Sequence, residues 1–265
     1  QLSYLAPQLA AMGHELHVVY HHPCEDLSRF VGVNMHRLQL ISNYDIRLPF
    51  LLLRIVRQVR PDLIVTWIMQ MDVVGGLIAI LSGIPWVVRE PNSALAYPRT
   101  FKFIARKLLG SAATAIIANS DAGADYWLNF LKKEKLFVIR NGFPIDEILE
   151  VCSKQQCERA SSDKRFFLSV GRLADDISGR KNVKQFLEAL LSFREIFSEA
   201  RAVICGEGPQ KNELHTFCVQ NGLSENVEFA GFKSKTEVWQ LMSGAAALVS
   251  LSSFEGCPNV VLEAM

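Results

Sequence analysis

Short apolar runs and helix-length amphipathic segments alternate along this sequence from end to end. That order restricts its fold more than any other feature. It calls for parallel strands joined by helical crossovers, an α/β architecture. His14–Tyr20 and Asn34–Leu40 read as the first two strands, and Leu48–Val59 as a helix with Arg54, Arg57 and Arg60 turned outward. Pro61-Asp62 closes that helix and leads into the strand Leu63–Trp67. Asp72–Leu81 is a helix rich in small residues, Pro85–Arg89 a strand, Arg99–Leu109 a helix and Thr114–Ala118 a strand. Asn119-Ser120-Asp121 then caps a helix over Ala122–Leu131, and the strand Leu136–Ile139 ends at the turn dipeptide Asn141-Gly142.

The composition turns polar after Gly142. Residues 143–165 read as a linker region holding a short helix from Ile145 to Cys157 and the polar stretch Ser161–Lys164. A second alternating unit follows. Its strands are Phe166–Val170, Ala202–Cys205, Val227–Ala230 and Ala245–Leu251; its helices are Val183–Phe197, Lys211–Asn221 and Lys235–Met242. The expected organisation is two Rossmann-like domains, 1–142 and 166–265. At 49% hydrophobic residues over 265 positions, there is enough apolar material for both cores. The chain starts inside an amphipathic helix and stops about two turns into another, so it reads as a fragment of a longer protein lacking a first strand and the end of the second domain.

Several function classes are disfavoured. The net charge of +1 gives no bulk electrostatic case for nucleic acid. The longest apolar candidate, Leu77–Val88, is interrupted by Ser82, Gly83 and Pro85, which argues against a membrane span. Six cysteines without a paired framework, and no signal peptide, point to reduced thiols in a cytoplasmic protein. His21-His22 with Cys24 is better read as an ordinary loop than as a metal site, and no metal or cofactor is expected. Trp67 and Trp86 at strand ends are better read as core than as sugar platforms.

Three stretches at strand ends carry candidate chemistry. Gly171-Arg172-Leu173 follows the strand Phe166–Val170, and Lys181-Asn182 opens the next helix. An Arg and a Lys flanking one strand–helix loop suit a diphosphate clamp, though ordinary solvated charges explain them too. Cys205-Gly206-Glu207-Gly208-Pro209 is a tight turn that brings backbone near a nucleotide; it lacks the third glycine of the dinucleotide fingerprint. Glu255-Gly256-Cys257-Pro258-Asn259-Val260-Val261-Leu262-Glu263 places one carboxylate in a loop and another on the helix that Pro258 and Asn259 start. A carboxylate can accept two hydrogen bonds from a vicinal diol. Glu263 therefore suits a ribose and Glu255 a sugar, with Gly256 and the amides of Asn259 and Val260 near their oxygens; surface carboxylates are the plain alternative.

Glu255–Glu263 resembles the signature of the retaining glycosyltransferases of family four, in the glycosyltransferase group 1 class. Ser169–Leu173, Lys181-Asn182, Cys205–Pro209 and Val227–Gly231 match in the same order, as do Ala10–Val19, Ile117–Asp121 and Val138–Gly142. The resemblance implies the GT-B fold, two Rossmann-like domains facing across a cleft, with the donor in the second domain and the acceptor mostly in the first. It implies a nucleoside diphosphate sugar as donor, UDP foremost. It implies a sugar or lipid-linked sugar as acceptor, in the synthesis of cell-surface polysaccharide or glycolipid. Catalytic roles fall to Glu255, Arg172 and Lys181, and donor contacts to Gly171, Arg172, Lys181, Gly206, Gly208, Glu255, Gly256, Asn259, Val260 and Glu263. Arg172 and Lys181 would stabilise the leaving diphosphate without a metal. Retention would follow front-face departure and attack, the leaving phosphate assisting acceptor deprotonation.

Two departures from the family pattern stand out. The loop between Arg172 and Lys181 is long, so Arg180 is a second candidate for the Lys181 role. The usual His of the first domain is absent where Arg89-Glu90-Pro91-Asn92 stands, making Arg89, Glu90 and Asn92 the acceptor-side candidates. The segment Arg99–Leu109 mixes Arg99, Lys102, Arg106 and Lys107 with apolar residues. It reads as an ordinary amphipathic helix or as a peripheral contact with the cytoplasmic face of a membrane. A non-catalytic partner subunit and a sugar-nucleotide epimerase remain the alternative functions.

Overall fold

A computed structural model describes residues 1–22, 26–42, 44–97, 100–128, 130–158, 166–174 and 181–265. Cys24, Arg99, Ser161–Lys164 and Arg180 lie outside the described residues. The chain divides into two compact units, Gln1–Gly142 and Phe143–Met265.

In the first unit the elements are α1 (Leu2–Ala11), β1 (Leu16–Tyr20), β2 (Val33–Arg37), α2 (Leu48–Val59), β3 (Ile64–Thr66), α3 (Met69–Ser82), β4 (Trp86–Glu90), α4 (Phe101–Gly110), β5 (Ala115–Ala118), α5 (Asp121–Asp125) and β6 (Leu136–Val138). Strands β1 and β2 form one parallel pair, and β3-β4-β5-β6 form a parallel sheet in that order. The small residues of α3 have a packing reason. A Cβ on Gly76 would meet the Trp86 ring at 2.2 Å, and one on Gly75 would meet the Thr66 methyl at 3.1 Å. Trp86, 2% exposed, is core, as its sequence position suggested.

The helix expected over Ala122–Leu131 is the largest departure. It stops at Asp125, although Ser120 caps it as expected by accepting from the Gly123 amide. The chain turns after Asp125 and Trp127 becomes fully buried, its ring filling the space beside Gly110. Tertiary packing of one indole overrides a helical pattern here.

The second unit contains α6 (Ile145–Glu158), β7 (Phe167–Val170), α7 (Val183–Arg194), β8 (Ala202–Cys205), α8 (Lys211–Gln220), β9 (Val227–Gly231), α9 (Lys235–Gly244), β10 (Ala247–Leu248) and α10 (Asn259–Ala264). The strand expected over Ala245–Leu251 is ladder-paired at two residues, extended by amide bonds from Ala246 to the Phe166 carbonyl and from Val249 to that of Leu168. The sheet order is β10-β7-β8-β9, all parallel. Chain order therefore runs one way from β7 to β9 and then returns to the far side of β7. That reversal is a topological switch point, the place where open α/β sheets leave a crevice beyond their strand ends. Leu187, Leu190, Ile204, Leu214 and Leu223 fill the core under this sheet.

Candidate functional site

The loops after β7 and β10 flank the switch point, and the predicted donor residues of the second unit sit on them and on their neighbours. Gly171 follows β7 directly, and its amide donates to the Cys205 carbonyl at 2.9 Å. The Leu173 amide donates to the Glu207 carbonyl, and the Gln210 amide to that of Leu173. The loops after β7 and β8 are thus laced together. Glycine is required for that closeness: a Cβ on Gly206 would lie 1.9 Å from the Gly171 carbonyl oxygen, and one on Gly208 would lie 2.1 Å from that of Leu173. Arg172 is exposed on this laced loop.

Lys181 runs past Gly171 to the loop before α10. Its Nζ lies 2.6 Å from Glu255 Oε1, and the two side chains are 23% and 31% exposed. A Cβ at position 171 would strike the Lys181 stem at 2.7 Å, so the absence of a side chain there clears the path of the lysine. Asn182 takes left-handed backbone angles, φ 51 and ψ 41. An Asn is among the few residues that tolerate this region. Its Nδ2 donates to the Leu251 carbonyl at 2.7 Å and to Ser253 Oγ at 3.0 Å. Both residues of the Lys181-Asn182 pair therefore hold the segment 251–255. The role of Asn182 escaped the sequence reading, because an Asn at a helix start looks like a cap.

The start of α10 is also corrected. Pro258 occupies the cap position without a side-chain cap bond, and Asn259 is the first helical residue. Among the described residues, Glu263 does not pair with Glu255 or with a cation. Its Oε2 accepts from Trp239 Nε1 at 3.1 Å, the hydrogen bond it makes among the described residues.

Arg89 and Asn92 of the first unit lie at the strand-end edge of its four-stranded sheet. The Arg89 guanidinium sits 4.5 Å over the Trp67 ring and donates to Asn141 Oδ1 at 2.6 Å. Glu90 is a different case, and its expected contact with an acceptor is corrected. The residue is fully buried and its oxygens are occupied. Oε2 accepts from Arg106 Nη1 at 2.7 Å and Trp127 Nε1 at 3.0 Å, while Oε1 accepts from the Asn92 amide and the Tyr97 hydroxyl. Arg106 is 1% exposed, so it does not belong to a basic outer face. Its Nε binds Asp72 Oδ2 at 2.7 Å. Burial raises the Asp72 carboxyl above its ordinary range despite Arg106. Burial alone would lower the Arg106 value, but Glu90 and Asp72 outweigh it and hold the guanidinium charged. Two carboxylates in apolar segments, Asp72 and Glu90, were the available signal that a buried cation had to sit between them.

Among the described residues no three His, Cys, Asp or Glu side chains cluster to hold a metal ion, and no helix is long and apolar enough to cross a membrane.

Residues 1–147 match the family model Glycosyltransferase Family 4, and residues 153–265 match Glycosyl transferases group 1. An uncharacterized glycosyltransferase of Methanocaldococcus jannaschii is 23% identical over 231 residues, covering 81% of this chain and 55% of that protein. The alpha-D-kanosaminyltransferase of Streptomyces kanamyceticus is 29% identical over 103 residues, 39% of this chain and 26% of that protein. The chain thus spans about half the length, or less, of these relatives. Among solved structures, the sucrose-phosphate synthase of Thermosynechococcus elongatus superposes with a TM-score of 0.75 at 17% identity, covering 98% of this chain and 71% of that one. HepE of Anabaena, in complex with UDP-glucose, gives 0.70 at 22% identity, covering 89% and 65%. These neighbours have the GT-B fold, and the chain shares it.

Proposed function

This chain belongs to glycosyltransferase family 4, whose model covers more than half of it, and from that premise we propose that it transfers a sugar from a nucleoside diphosphate donor to an acceptor hydroxyl with retention. The Lys181–Glu255 pair at the switch point carries the reading. One loop pair presents a cation for the diphosphate and a carboxylate for the sugar within hydrogen-bond distance of each other. Donor binding would separate them: Lys181 and Arg172 turn to the phosphate oxygens, and Glu255 accepts from sugar hydroxyls. The bond from the anomeric carbon to the phosphate oxygen then breaks, and the acceptor oxygen bonds that carbon from the same face. The acceptor proton passes to the leaving phosphate. Positive charge held where negative charge develops is the main protein contribution to such a step. Glu263 holds the ribose, and Gly171, Gly206 and Gly208 let the backbone approach the nucleotide. Gly256, Asn259 and Val260 contribute from the Glu255 loop and the start of α10. No metal is assigned a role. UDP is the proposed nucleotide because HepE structures hold UDP, UDP with glucose, and UDP-glucose. The site is read as part of the domain 166–265, joined to the domain 1–142 by the linker 143–165. Arg89 and Asn92 are proposed to face the acceptor, a sugar or a lipid-linked sugar in cell-surface polysaccharide or glycolipid synthesis at a cytoplasmic location.

The test is a thermal-shift panel of nucleotide sugars on the intact protein, since a ligand bound only to the native state raises its melting temperature. Stabilisation by UDP-sugars is expected. Failure of every nucleotide to stabilise points to a non-catalytic partner, and a donor epimerised without acceptor points to an epimerase.

A specific surface supports a peripheral membrane contact for the first unit. Helix α3 packs against both α2 and α4. The three helices expose Phe50, Leu77, Leu81, Phe101, Ile104 and Leu108, with Phe101 at 84%. Their single acidic residue, Asp72, is buried, whereas Arg54, Arg57 and Lys102 are exposed. Lys102 ties α4 to the loop before α2 by donating to the Tyr44 hydroxyl at 2.8 Å. Apolar side chains among cations alone suit an anionic bilayer. Co-sedimentation with phosphatidylglycerol vesicles, and not with neutral ones, is expected; equal behaviour with both sinks this contact.

A further inference from the structure

We infer that Trp239 is a positioning residue for the nucleotide's ribose, acting through Glu263; the inference rests on the reading of Glu263 as the ribose ligand. Helix α9 begins at a complete capping box, in which Ser234 and Glu237 bind each other's backbone amides. That fixed start places Trp239 on the buried side of the helix, 1% exposed. A buried indole N–H needs an acceptor, and this one is supplied by Glu263 Oε2 at 3.1 Å. The reverse dependence matters more for function. Glu263 is half-buried on the six-residue helix α10, and Trp239 is its hydrogen-bond partner among the described residues.

An indole can only donate, and an ionised carboxylate can only accept, through about four lone-pair sites on two oxygens. The Trp239 bond uses one site on Oε2 and fixes the carboxylate plane. The remaining sites are then oriented before any ligand arrives, and a vicinal diol can engage them without first ordering the side chain. Without the indole, the carboxylate would rotate freely about its last torsions, and ribose recognition would carry the cost of stopping that rotation. A purely structural role is the competing explanation, in which the bond only satisfies the indole.

The two separate by a nucleotide comparison on the intact protein. Calorimetry measures affinity for UDP and for 2′-deoxy-UDP in the natural protein and in Trp239→Phe, which keeps an aromatic ring and deletes the donor. The natural protein should prefer UDP by about tenfold or more, the scale of a hydrogen bond to a charged group. The preference should shrink several-fold in Trp239→Phe, with a smaller loss of affinity for 2′-deoxy-UDP, which keeps only the 3′-hydroxyl. An equal loss for both nucleotides, or an unchanged preference, overturns the inference. Benzothienylalanine at position 239, isosteric with Trp but lacking N–H, gives the same comparison if the Phe variant does not fold. Glu263→Gln in parallel keeps the two levels apart. If it leaves the preference intact, Glu263 is not the ribose ligand and both readings fall. If it removes the preference while the position-239 variants do not, only the role of Trp239 falls.

Discussion

Each unit of this chain pairs a carboxylate from a loop or strand end with a cation, and the two pairs differ in their access to water. Arg106 and Glu90 in the first unit are 1% and 0% exposed; Lys181 and Glu255 in the second are 23% and 31% exposed. The buried pair is also saturated, because Glu90 serves Trp127, Tyr97 and the Asn92 amide as well as Arg106. The partly exposed pair rests, among the described residues, on one contact, Nζ to Oε1. A carboxylate whose every acceptor site is filled from inside the fold holds structure. A carboxylate with one partner that can be exchanged can bind a ligand. Glu90 therefore fixes the segment 91–97 rather than touching an acceptor, while Glu255 stays a candidate for chemistry.

Breaking the buried pair should have the largest effect. Arg106→Met leaves Asp72 and Glu90 facing each other without a counter-charge, and such losses cost about 3–5 kcal/mol. Urea denaturation of the intact protein should show a loss of that size, or a first unit that no longer folds. A loss below about 1 kcal/mol would mean that water reaches the cluster and that the contrast between the units is false. Glu90→Gln is milder, at about 1–3 kcal/mol. Its carbonyl still accepts from one side, but its amide group faces the Asn92 N–H or the Tyr97 hydroxyl. Activity should fall with it through displacement of the Asn92 segment, raising KM for acceptor more than for donor.

The buried cluster also has a pH signature. Burial holds the Asp72 carboxyl above its ordinary range, so the folded chain binds that proton more tightly than the unfolded chain. The stability from this preference is full below the unfolded value of about 4 and is lost as pH rises through the folded value. Asp72→Asn removes the titration. Its cost relative to the natural protein should be greatest in acid and shrink toward neutrality in urea melts from pH 4 upward. A cost that grows with pH would show that the Arg106 pairing, and not burial, dominates Asp72.

The same contrast explains what the sequence could and could not reveal. Alternation and turn residues located nearly every strand and helix, because period and punctuation are local. The boundaries that failed did so for tertiary reasons: α5 ends early to seat Trp127 against Gly110 and Glu90, and β10 pairs at two residues. The glycines and charges of the donor loops were legible as a pattern in order, since close approach leaves few residue choices. Burial was not legible, so Glu90 and Glu255 looked alike, and Arg106 looked like a member of a basic face. Asn182 and Trp239 were missed because each works across long sequence separations, to Leu251, Ser253 and Glu263.

The smallest expected change in stability belongs to Glu255→Gln, and its binding effects should run in opposite directions. A partly exposed ion pair contributes about 0–1 kcal/mol, so the melting curve should barely move. The Lys181 ammonium, however, is released from a competitor for the diphosphate. UDP alone should then bind about two- to fivefold more tightly, while the UDP-sugar loses the hydroxyl contacts of a charged acceptor and turnover falls by about a hundredfold or more. Calorimetry with UDP and with the UDP-sugar reads the two signs in one protein. A merely structural pair would weaken both ligands together and cost stability, as Glu90→Gln should. A covalent role for Glu255 would instead abolish turnover and allow a glycosyl-enzyme to be trapped in the natural protein. Opposite signs without a trapped intermediate are what an exchangeable pair predicts: Lys181 and Glu255 hold each other until the donor supplies a phosphate for one and a sugar for the other.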